Sequence, residues 1–133
     1  MPVVVFGEAT AILLALRGAK VVLGARRADR LQAIVDIIHQ NGGKAAYIKI
    51  DVTKRNDLEK LVAFAVEKYG KLDVIFNNAG ISQLYKMEEL DVEGWEQMID
   101  VNLKGTLYGI AAALPVFIRQ GSGHVINIIS TAG

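Results

Sequence analysis

The sequence predicts an α/β fold, a doubly wound parallel sheet between two layers of helices. Three observations point there. Short β-branched runs alternate with helical patterns five times along 133 residues, the mark of consecutive βαβ units. The runs are apolar throughout rather than alternating, as expected of parallel strands covered on both faces. At 52% hydrophobic and 22% charged, with no linker, repeat or low-complexity tract, residues 1–133 read as one domain. A chain of this length buries about two-thirds of its unfolded surface on folding.

Each element has its own signal. Residues 3–6 (VVVF) form an apolar strand, and residues 8–17 are rich in helix formers, with Gly18 placed to end the helix. A strand ending at Phe6 leaves Gly7 as the whole connection. That is short for a strand-to-helix reversal, so a break in ordinary chain continuity is expected between Phe6 and Gly7. Residues 20–23 (KVVL) are the second strand. Residues 28–40 form a helix with Leu31, Ile34, Val35 and Ile38 on one face. Residues 45–50 are the third strand. Residues 56–69 form a helix with Leu58, Leu61, Val62 and Ala65 inward, and Asn56 with Glu59 suits a capping box. Residues 74–76 are the fourth strand. A long helical segment spans 92–120, with Asp91 as its cap and a kink or break expected at Pro115. Residues 124–129 (HVINII) are the fifth strand.

Composition excludes several classes of chemistry. The net charge is +1 with no run of like charge, which argues against nucleic acid or an anionic membrane surface as a partner. There is no cysteine, so disulfides, thiolate metal sites and thiol nucleophiles are absent. Two histidines, His39 and His124, are too few for a multi-histidine metal site, and no metal is expected. No apolar run reaches the roughly 18 residues a membrane span needs. The first residues lack the basic start and small-residue cleavage site of a signal peptide, so a cytoplasmic protein is expected.

Ligands of open α/β sheets bind beyond the carboxyl ends of the strands. Here those ends carry small and polar residues: Gly7-Glu8, Gly24-Ala25-Arg26-Arg27, Asp51-Val52, Asn77-Asn78-Ala79-Gly80 and Ser130-Thr131-Ala132-Gly133. Arg26 and Arg27 stand at a helix start, where the helix dipole disfavours cations, so the dipole does not account for them.

Together, GEATA, GARR, DV, NNAG, VNLKG and NIISTAG resemble the short-chain dehydrogenase/reductase family, in family order and at family spacing. The resemblance covers nearly all 133 residues but about the first half of a usual member. It departs from the family twice. The glycine-rich TGxxxGxG turn is represented by Gly7 alone, about seven residues short of the pattern. No Tyr-x-x-x-Lys follows the serine strand, and none of Tyr47, Tyr69, Tyr85 or Tyr108 has lysine four residues on.

The resemblance implies a Rossmann-like three-layer fold with strand order 3-2-1-4-5. It implies oxidation or reduction of an alcohol/carbonyl pair with a nicotinamide cofactor. Ser130 matches the serine that hydrogen-bonds the substrate carbonyl, and Asn102 the asparagine that positions the active-site lysine through water. Gly7, Asp51, Val52, Asn78, Ala79 and Gly80 match cofactor-binding positions. Asp51 is also a plausible turn former before a helix, and NNAG can tie strands together. NAD-preferring sites place an acid at the end of the second strand. Ala25 stands there instead, beside Arg26 and Arg27, and arginine suits a phosphate. NADP is therefore expected over NAD. The family's 92–120 helix takes part in dimers, which implies a homo-oligomer; the small residues Gly105, Gly109, Ala112 and Ala113 also suit close packing on the sheet. A non-catalytic dinucleotide-binding or dimerisation module, or a relic without activity, is the alternative reading.

Overall fold

The computed structural model describes residues 1–77 and 86–128. Its five strands are β1 (Pro2–Val5), β2 (Lys20–Ala25), β3 (Lys44–Lys49), β4 (Val74–Asn77) and β5 (His124–Asn127). All pair in parallel, in the order β3-β2-β1-β4-β5, as the resemblance implied. The helices are α1 (Glu8–Leu16), α2 (Ala28–Gln40), α3 (Arg55–Tyr69), α4 (Val92–Met98) and α5 (Gly105–Gln120).

Strand alternation divides the core in two. Val3, Val5, Val21 and Leu23 face α1 and α2, where they meet Ala11, Ala15, Leu31, Ile34, Val35 and Ile38. Val4, Val22 and Ile75 face the other way, against Leu58, Leu61, Val62 and Ala65 of α3 and Ala113 and Phe117 of α5. The central strand β1 is wholly buried, which is why its sequence is apolar on both faces.

Three local expectations are corrected. β1 closes at Val5, so Phe6 and Gly7 together make the connection to α1, and the chain contains no cis peptide among the described residues. A two-residue connection suffices because Gly7 adopts φ 151° and ψ 133°, open to glycine but strained for a residue with a Cβ. At α3, Lys54 is the N-cap residue and no side chain caps the helix, so the Asn56–Glu59 capping box does not form. Of the kink or break expected at Pro115, the break does not occur, since α5 continues to Gln120. The irregularity lies earlier, in a π-helical segment Ile99–Lys104 between α4 and α5. The segment 92–120 is long and apolar enough by length and composition to cross a membrane. Its inner face is nevertheless committed to protein, with Gly105, Gly109, Ala113 and Phe117 buried.

The Asp91 cap does form, its carboxylate accepting the Gly94 N–H at 3.2 Å. The small-residue face of α5 lets the helix approach closely. A Cβ on Gly109 would lie 2.5 Å from the Asn77 Oδ1, and one on Gly105 3.3 Å from Val52.

Candidate functional site

The carboxyl ends of β1, β2 and β3 open into a cleft of about 480 Å³. Its apolar wall is Leu23, Leu31, Ile34, Ile50, Val52 and Val101, and its rim carries Arg26, Arg27 and Arg30. A Cβ on Gly24 would lie 2.8 Å from Leu61 Cδ2 and 3.0 Å from Ile50 Cδ1, so these side chains would have to shift to admit one. The apolar body with cations at one edge suits a flat ring system bearing an anionic group.

Of the residues singled out in the sequence, Gly7, Arg26, Arg27 and Val52 line this cleft. Asp51 joins it through Arg26, whose Nη2 lies 3.6 Å from Asp51 Oδ2. Asp51 also behaves as the turn former: its Oδ1 accepts the Thr53 N–H at 3.0 Å and the Thr53 hydroxyl at 2.7 Å. Its own N–H donates to Asp57 Oδ2 at 2.9 Å. Burial pushes the Asp51 carboxyl up, but the Thr53 hydrogen bonds and the charges of Arg26 and Lys54 outweigh it and hold the group below its ordinary value. Arg27 is committed elsewhere, donating to Asp29 Oδ2 at 2.8 Å.

Asn102 is not brought to the cleft. It sits exposed in the π-helical segment, one residue after the cleft-lining Val101, and its carbonyl accepts the Thr106 hydroxyl at 3.0 Å. Asn78, Ala79, Gly80 and Ser130 lie outside the described residues.

Three residues were given no individual role in the sequence. Arg30 shares the rim with Arg26 and Arg27, and its place in the first turn of α2 was the available signal. Glu8 also lines the cleft, at the start of α1. Asn77 is a buried polar residue whose Nδ2 donates to Asn127 Oδ1 at 2.9 Å, tying β4 to β5. His39 is structural, its Nε2 lying 3.0 Å from the Ala45 carbonyl oxygen.

A family model described as short chain dehydrogenase matches residues 5–133. An uncharacterized oxidoreductase of Listeria innocua is 57% identical over 127 residues, covering 96% of this chain and 51% of its own length. The chain thus spans about half the length of the curated relatives it matches. A metagenomic short-chain oxidoreductase in complex with NADP superposes with a TM-score of 0.89 at 32% identity, over 98% of this chain and 62% of that one. An alcohol dehydrogenase from Thermococcus sibiricus, complexed with 5-hydroxy-NADP, does so with a TM-score of 0.82 at 34% identity, over 92% and 56%.

Proposed function

The chain belongs to the short-chain dehydrogenase/reductase family, and from that premise we propose that residues 1–133 form one dinucleotide-binding domain of an NADP-dependent oxidoreductase acting on an alcohol/carbonyl pair. The observation that carries this reading is the arginine-rimmed cleft at the carboxyl ends of β1–β3.

The residues fit an adenosine bearing a 2′-phosphate. The apolar wall takes the adenine, Asp51 and Val52 stand at its edge, and Arg26 with Arg30 offers guanidinium groups to the phosphate. The pyrophosphate end fits less well. The connection before α1 is Phe6–Gly7 alone, and the Glu8 carboxylate stands on the first helical turn, where an anion would otherwise be welcome.

NADP, when bound, supplies or accepts hydride. Ser130 then holds the substrate carbonyl oxygen, and Asn102 positions the proton-donating machinery. That machinery is not in these residues, since they hold no Tyr-x-x-x-Lys and a free tyrosine near pKa ~10 is a poor proton donor-acceptor at neutral pH. A further proposal is a homo-oligomer through the 92–120 helix, supported by its exposed apolar residues Ile99, Leu103, Leu107, Leu114 and Ile118.

Calorimetric titration with NADP and NAD tests the cofactor reading. Wild type is expected to favour NADP, and Arg26→Asp to lower the NADP/NAD affinity ratio at least about tenfold, because like-charge repulsion replaces a charge-assisted hydrogen bond. A ratio unmoved by the substitution removes Arg26 from the phosphate site.

A further inference from the structure

The far end of α2, remote in sequence from the arginine rim, closes on Asn41-Gly42-Gly43. Asn41 alone among the asparagines of the chain precedes a glycine. Asn41 and Gly42 are both exposed. Glycine carries no Cβ to shield its main-chain nitrogen from the side chain before it. The two groups that could react are engaged in the helix cap instead. Asn41 Nδ2 donates to the Ile37 carbonyl at 2.8 Å. The Gly42 N–H donates to the His39 carbonyl at 3.0 Å, and the Gly43 N–H to the Ile38 carbonyl at 2.9 Å. Gly42 has φ 80°, the left-handed turn with which many helices end. With Asn41 at ψ 12°, the Gly42 nitrogen is turned well away from the Asn41 Cβ.

We propose that Asn41 is a site of spontaneous deamidation, held in check by the cap of α2 and released when the last turn of the helix opens. In the reaction the Gly42 nitrogen gives up its proton to solvent and attacks Asn41 Cγ. The new N–Cγ bond closes an imide ring as the Cγ–Nδ2 bond breaks, and Nδ2 leaves as ammonia with a proton taken from solvent. Water then opens the imide at either carbonyl, leaving aspartate or isoaspartate, and no oxidation or reduction is involved. Ring closure requires the Gly42 nitrogen to swing over the Asn41 side chain, which the bonds to His39 and Ile37 forbid while they last. The product is unfavourable where it forms. A carboxylate replaces the amide that donates to Ile37, at the helix end where the dipole disfavours an anion. Isoaspartate also lengthens the main chain inside the cap.

The test follows the 133-residue chain in warm, mildly alkaline buffer by peptide mass mapping, once folded and once in urea, with circular dichroism recording the fold. In urea Asn41 is expected to convert before every other asparagine, Asn56 and Asn127 included. In the folded chain its conversion is expected to slow by at least about tenfold, because opening of the helix end must precede ring closure. A synthetic peptide of residues 36–46 is expected to match the rate in urea. If another asparagine converts first in urea, the site is wrongly assigned. If Asn41 converts equally fast in the folded and unfolded chain, the cap does not restrain it.

Discussion

Asn77 and Gly109 show how one buried polar group constrains its surroundings. The Asn77 amide has 4% of the residue exposed and is satisfied by Asn127 across the sheet. Its Oδ1 occupies the space that a side chain at position 109 would need. Gly109→Ala therefore either breaks the Asn77–Asn127 bond or pushes α5 off the sheet. It is expected to destabilise the fold by about 1–3 kcal/mol, the usual scale of overpacking, read as a lower urea midpoint at unchanged slope. Stability within about 0.5 kcal/mol of wild type would show that the sheet accepts the methyl. The small-residue spacing of α5 was visible in the sequence as a packing face, but its partner was not. Asn77 is separated from Gly109 by 32 positions and from Asn127 by 50, and nothing local signals either contact.

Among the elements, α5 departs most from its sequence pattern. Proline removes one donor and crowds one carbonyl, yet α5 continues through Pro115 because its inner face is packed on β4 and α3. Its far end is fastened by Gln120, whose Oε1 accepts the Leu72 N–H at 3.0 Å and whose Nε2 donates to the Leu72 carbonyl at 2.7 Å. Leu72 is fully buried in the connection between α3 and β4, so these main-chain groups have little access to water. Gln120→Ala leaves them without their side-chain partner. It is expected to destabilise by about 1–3 kcal/mol and to speed amide exchange at Leu72 more than at the centre of β1. Equal exchange at Leu72 in variant and wild type would contradict the clamp. The missing capping box at α3 has a comparable origin, since the Asp51–Thr53 turn sets where that helix starts, at Arg55 with Lys54 as N-cap residue.

For the molecule as a whole, the outer surface of 92–120 is the feature that the internal core leaves unexplained. Ile99, Leu103, Leu107, Leu114 and Ile118 recur at spacings of four and seven and are each about half exposed or more. A contiguous apolar strip of this kind is a common mark of an interface. If it joins two copies, Leu107→Glu combined with Leu114→Glu should shift sedimentation from dimer toward monomer, with the circular dichroism spectrum unchanged. Identical sedimentation of the variant and wild type would place the contact elsewhere.

The alternation of apolar runs and amphipathic helices determined the fold class, because burial on two faces writes itself locally as continuous strands and 3.6-residue stripes. All eight inward positions named on α2 and α3 are buried for that reason. The strand ends carrying Gly7, Arg26, Arg27 and Val52 were legible as one cleft once the strands were taken as parallel. Tertiary structure alone decided which of these charges are available. Arg26 is held by Asp51 and Arg27 by Asp29, while Arg30 shares the rim without an acidic partner among the described residues. It also kept Asn102 out of the cleft, within the π-helical segment. The physical reason is range. Hydrophobic periodicity is repeated along each element and survives in the sequence. An ion pair or a buried amide depends on the meeting of single atoms from distant segments, and it exists only after the sheet has brought them together.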